Sequence, residues 1–172
     1  MVVDRDGAGV PPSVLLSGFT LSKASRTGLV VNAGDVRMQS VALVDNLGEQ
    51  GGGMRVAHGA RVDAIEAHLD RNQATSGGGF YNNGGDLSFS RDAFITNNVA
   101  KQKGGGGFSR NGKLHMKHAR KVNGNYAAVR CVSARLRLPL RVACPCVCMR
   151  VHVCACDAWA PPSLGADFGP CM

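Results

Sequence analysis

Gly77-Gly78-Gly79-Phe80, then Leu87-Ser88-Phe89-Ser90, then Ile95-Thr96-Asn97-Asn98-Val99-Ala100: this stretch decides the fold, because each of its three parts recurs on both sides of it. The last part contains a tetrad, apolar-x-x-Asn. It reads Leu43-Val44-Asp45-Asn46, Leu69-Asp70-Arg71-Asn72, Ile95-Thr96-Asn97-Asn98 and Val122-Asn123-Gly124-Asn125, with the Asn residues 26, 26 and 27 positions apart. Glycine runs follow the first three tetrads at Gly51–Gly53, Gly77–Gly79 and Gly104–Gly107, and an apolar residue reopens the chain at Met54, Phe80 and Phe108. Ala74, Ala100 and Ala127 each lie two residues past their Asn, whereas Gly48 takes that place after Asn46. A fixed period of this size is the signature of a solenoid.

Between glycine run and tetrad the chain alternates: Val36-Arg37-Met38-Gln39, Val62-Asp63-Ala64, Leu87-Ser88-Phe89-Ser90 and Leu114-His115-Met116-Lys117. Alternation is the period of a strand with one face buried and one wet. Ile65-Glu66-Ala67-His68-Leu69 looks helical in isolation, but its register with Phe94-Ile95 argues for strand. One such unit cannot bury its own apolar face, and stacking unit on unit does bury it. The expected fold is therefore all-β, a coil of parallel strands in which equivalent residues lie about 4.8 Å apart along the stack. Asn46, Asn72, Asn98 and Asn125 are expected to form a ladder. An Asn side chain donates one way and accepts the other, and it tolerates left-handed backbone. The glycines suit a corner of close backbone approach, and Phe80, Phe89, Phe94 and Phe108 are expected to stack in the core.

At these tetrads and glycine blocks the chain resembles the repeats of polymorphic outer membrane proteins, and Ser17-Gly18-Phe19-Thr20-Leu21 resembles the opening of many bacterial β-helix coils. The resemblance covers residues 14–127. It implies a short right-handed parallel β-helix of the pectin-lyase-like type, here of about four coils. It also implies secretion or a cell surface, and a chain that continues beyond this one. The tetrads depart from that family in opening with Leu, Ile or Val where it often has Phe. The anchoring domain behind the family's name has no counterpart in this sequence.

Three segments follow. Residues 1–13, with Gly7, Gly9 and Pro11-Pro12, read as a flexible lead-in. Residues 14–127 are the β-helix. Residues 128–172 are a Cys-rich, low-complexity tail holding all seven cysteines. Its narrow alphabet fits translation of a GT/GC-rich simple repeat, so a spurious or disordered tail is the leading reading. A disulfide cap and a metal site rank behind it, since seven is odd and Cys144-Pro145-Cys146-Val147-Cys148 is poor zinc spacing. No stretch reaches the length of a membrane span, and residues 1–16 lack the pattern of a signal peptide, so the compartment rests on the resemblance alone.

Residues 1–127 carry 15 Lys+Arg and 10 Asp+Glu, and the tail carries 5 and 2, giving the net charge of +8. That balance is compatible with an acidic polysaccharide or another surface protein as partner; nucleic acid is not expected. The densest basic stretch runs from Arg110 to Lys121. Gly107-Phe108-Ser109-Arg110-Asn111-Gly112-Lys113-Leu114 misses a P-loop, because Leu114 stands where a magnesium-binding hydroxyl is needed. His115 and His118 fall on opposite faces of a strand and make no metal pair.

Enzymes of pectin-lyase-like shape work on the outside of one sheet with several carboxylates or a carboxylate-rich calcium site. The outward column here reads Arg37, Asp63, Ser88 and His115, with Gln39, Ser90 and Lys117 at the next level. It holds one carboxylate, and Arg37 is expected to pair with Asp63. Arg37, Asp63, Ser88, His115 and Lys117 are thus a candidate binding face, with no catalytic residue, cofactor site or metal site assigned. The expected function is a structural or adhesive repeat module of a larger secreted or surface protein. The alternative is a fragment of a polysaccharide lyase, hydrolase or epimerase.

Overall fold

The computed structural model describes residues 1–5, 11–117 and 121–127 and the strand Val147–Met149. Every regular element among them is a strand, and the strand pairings are parallel. The strands stack into four sheets, each one face of a solenoid of about five turns. The first face holds Val2–Val3, Leu29–Val31, Met54–Val56, Phe80–Asn83, Gly107–Arg110 and Val147–Met149. The second holds Ser13–Ser17, Asp35–Gln39, Arg61–Ile65, Asp86–Ser90 and Lys113–Met116. The third holds Thr20–Ser22, Ala42–Val44, His68–Asp70, Phe94–Thr96 and Lys121–Asn123. The fourth holds Leu47–Gln50, Gln73–Ser76, Val99–Lys103 and Tyr126–Ala127.

The expected all-β solenoid is thus the observed one, and the segment read as a lead-in adds Val2–Val3 to the first face. Of the Cys-rich tail only Val147–Met149 is described, paired with Gly107–Ser109. Apart from Cys148 its cysteines lie outside the described residues, as do His118 and Arg120, so the readings of the Cys-rich tail are not addressed by them.

Residues in register form files along the axis. On the second face Val14, Val36, Val62, Leu87 and Leu114 make one inward file, and Leu16, Met38, Ala64, Phe89 and Met116 make another. Leu21, Leu43, Leu69, Ile95 and Val122 line the third face. Large residues sit beside small ones: Phe89 follows Ala64 in its file, and its ring lies 5.2 Å from that of Phe80. Burying each such side chain contributes about 1.5–3 kcal/mol, which no single coil could collect alone.

The extra residue that lengthens the last repeat to 27 is a register shift in Val99–Lys103. It also corrects one expected file. Phe80 is flanked by Met54 and by Gly107, not by Phe108. A Cβ on Gly107 would lie 2.1 Å from the Phe80 ring, so the ring occupies the space that a side chain there would need. Phe108 points outward and stacks on Tyr81 at 5.4 Å, and Phe94 is half-buried against His68 at 4.6 Å. Of the four phenylalanines expected in the core, Phe80 and Phe89 are there.

Candidate functional site

The corner between third and fourth faces carries the Asn file. Asn46, Asn72, Asn98 and Asn125 are all buried. Each Nδ2 donates to the next Oδ1 at 3.0 Å, from Asn46 to Asn72, Asn72 to Asn98 and Asn98 to Asn125. The same Oδ1 atoms accept from the backbone N–H of the preceding Asn. The second Nδ2 hydrogen reaches back to Leu21, Leu43, Leu69 or Ile95 carbonyl oxygen. The ladder begins at Ala24, whose N–H donates to Asn46 Oδ1 with no side-chain amide of its own.

One reason given for Asn is corrected here. The left-handed residue is the one before it: Lys23, Asp45, Arg71, Asn97 and Gly124 have φ between 52° and 63°. The ladder Asn is selected by its donor and acceptors, not by its backbone.

The glycine runs back this file. A Cβ on Gly79 would stand 2.3 Å from Gly106 O and 3.1 Å from Asn98 Nδ2, and one on Gly53 would stand 2.6 Å from Gly79 O. Gly48 replaces alanine because a Cβ there would meet Gly51 O at 2.6 Å.

The outside of the second face is the site that the sequence singles out. Arg37, Asp63, Ser88 and His115 do stand in one register column. Lys117 lies just past the strand and donates its N–H to Phe89 O. Arg37 and Asp63 are adjacent, yet no ion pair joins them, which corrects that expectation. His115 approaches Asp86 instead, with Nε2 3.7 Å from Oδ1.

A second correction concerns the carboxylates. Two residues earlier on the same strands runs another outward column: Asp35, Arg61, Asp86 and Lys113. The face therefore holds three carboxylates, not one. The signal was present in the alternation, had the pattern been extended two residues back from Val36, Val62, Leu87 and Leu114. The two columns form a checkerboard in which Asp35 and Asp86 flank Arg61, and Arg37 flanks Asp63. Opposite charges facing one another across strands are mutually stabilising. An open groove by the first coils is lined by Ser13, Leu15, Asp35, Arg37, Arg61 and Asp63.

Two further polar features were not foreseen. Asn82 is buried between first and second faces, where its Nδ2 donates to Gly85 O and Lys113 O and its Oδ1 accepts from Gly85 N. Outside the Asn corner, Arg71 binds Asp45 through Nε at 2.9 Å and also binds Asp70, which in turn accepts from Thr96 Oγ1 and Asn97 Nδ2. The hydrogen bond from Arg71 and its positive charge hold the Asp45 carboxyl below its ordinary value.

Among the described residues no group of three or more His, Cys, Asp or Glu side chains is placed to hold a metal ion, and no helix is long and apolar enough to cross a membrane. Comparison with protein-family models, with curated proteins and with solved structures returns no match.

Proposed function

We propose that this chain is a structural and adhesive repeat module of a larger secreted or cell-surface protein. In this reading it is a right-handed β-helix of the pectin-lyase-like type, resembling polymorphic outer membrane protein repeats. The observation that carries the reading is the contrast between files. Inward positions repeat their chemistry from coil to coil, as the Asn ladder does, while outward positions change theirs, as Asp35, Arg61, Asp86 and Lys113 or Arg37, Asp63, Ser88 and His115 do. A rod built that way supports a surface that is free to vary, which is what a display or adhesion scaffold requires. The charged residues of the second face alternate in sign in a checkerboard, the arrangement of a solvated surface.

The second reading, a polysaccharide hydrolase or lyase, draws on Asp63 and Asp86. They lie diagonally on adjacent parallel strands of one face, where a strand spacing of about 4.8 Å and a two-residue rise of about 6.6 Å put their Cα atoms about 8 Å apart. That spacing is in the range for two carboxylates flanking a glycosidic bond with a water between them. The arrangement differs from an acid–base pair in that Arg61 stands beside Asp86 and Arg37 beside Asp63.

The two are separated by incubating the purified chain with polygalacturonate, alginate and sulfated glycans, with and without calcium. New reducing ends or unsaturated products are then sought, alongside retention of chain-coated beads on the same polymers under flow. Retention without product is expected. Product formation that is abolished in Asp63→Asn or Asp86→Asn overturns the adhesive reading in favour of the enzymatic one.

A further inference from the structure

Charge is distributed unevenly along the solenoid. Residues 1–92 carry eight Lys+Arg against ten Asp+Glu, while residues 93–127 carry seven Lys+Arg and no acidic residue. The break falls within one turn, between its second-face strand Asp86–Ser90 and its third-face strand Phe94–Thr96. On the second face it becomes a row: Arg110, Lys113, His115 and Lys117 are exposed along and beside the last strand of the stack, and Lys121 is exposed where the chain enters the third face. Successive outward residues of a strand are about 6.6 Å apart, so Lys113 and Lys117 present two cations across the axis, with the His115 side chain between them. Asp86 is the carboxylate in register with Lys113 and nearest to His115. Beyond the row there is no acidic residue before Asp157.

We propose that this row binds a linear acidic polysaccharide, lying along the final strand of the second face and across the solenoid axis. The proposal names a partner class for the adhesive reading above, and rests on it. The direction follows from the checkerboard. A polyanion laid along the axis over one column meets Asp35, Arg61, Asp86 and Lys113, two charges of each sign. Laid along the last strand it meets Lys113 and Lys117, with no carboxylate on that strand. Attraction to such a line is long-range and falls as salt screens it. A sugar polymer is favoured over single-stranded nucleic acid by the side chains between the cations. Leu114 and Met116 point to the core, and the row holds no Phe, Tyr or Trp ring on which a base would stack; its one ring, the His115 imidazole, lies beside Asp86.

The test compares the full chain with two variants of equal net charge. One is Lys113→Gln/Lys117→Gln/Lys121→Gln. The other removes three exposed cations near the opposite end, Lys23→Gln/Arg26→Gln/Arg37→Gln. Binding to heparin, to polygalacturonate and to a neutral dextran is measured at low and high salt, with circular dichroism confirming the fold of each variant. The first variant is expected to lose at least about tenfold in affinity for the acidic polymers, and the second less than about twofold. Binding by the parent falls with salt, and dextran is not bound. Equal losses in both variants mean that net charge alone is responsible, and overturn the proposal. So does tighter binding to single-stranded DNA of matched charge, or no binding to either acidic polymer. The last result, with no product formed, leaves the scaffold reading standing; product formation defeats that reading whatever the row binds.

Discussion

Arg71 and Asn72 are consecutive residues at one corner, and both tie their coil to the one before. Asn72 does so from inside, fully buried, accepting from Asn46 and donating to Leu43 O and Asn98 Oδ1. Arg71 does so from outside, with 56% of its side chain exposed, on Asp45 of the preceding coil. The same step along the axis is thus spanned by neutral amides within and by ions without. Water decides which is stronger. Inside, a lost partner leaves a donor with nothing to replace it; outside, solvent replaces either ion. The inner file is therefore the one that repeats, and the outer one is free to differ, as Asp45, Arg71, Asn97 and Gly124 do.

Asn72→Ala breaks the inner side and has the largest expected effect. It strands the Asn46 N–H and one Asn46 Nδ2 hydrogen in the core. Urea denaturation is expected to show a loss of about 2–4 kcal/mol. A cost near zero would mean that the ladder is filler. Gly79→Ala tests the wall behind the ladder without removing an amide from it. Its Cβ would drive against Gly106 O and force neighbouring coils apart, for a loss of about 1–3 kcal/mol. Ala24→Asn runs the other way. Lys23 already holds the left-handed corner, and the Ala24 N–H already meets Asn46 Oδ1. A side-chain amide there adds a rung and is expected to raise stability by about 0.5–1 kcal/mol.

The inner side of this corner was legible in the sequence because a stack repeats its solution at each turn. Four Asn residues in register, with glycine runs between them, have no simpler cause. The outer side was less legible. Register placed Arg37 beside Asp63, but two long exposed side chains have many rotamers and no packing to choose among them. Phe108 was misplaced for a different reason. The one-residue shift within Val99–Lys103 moves it out of the Phe80 file, and only the pairing of the backbones reveals that the shift precedes it. The Asp35, Arg61, Asp86, Lys113 column was visible all along, two residues upstream of the column that was read.

The smallest effect belongs to Arg71→Ala, and its pH dependence is what identifies it. In the folded chain the hydrogen bond and charge of Arg71 lower the Asp45 pKa from the value it has unfolded. A group whose folded pKa is depressed contributes stability that is fully present above its unfolded pKa, about 3.9, and disappears as pH falls through the lower folded value. Removing Arg71 removes that contribution. The denaturation midpoints of parent and variant are therefore expected to differ slightly and constantly at neutral pH, and to converge as pH drops below about 4. High salt should shrink the difference at neutral pH as well, since both ions face solvent. The Asn72→Ala deficit has no ionisable group in it and should persist under both treatments. A deficit in Arg71→Ala that ignores acid and salt would mean that the side chain acts by packing, and that the outer corner holds the coils by the same means as the inner one.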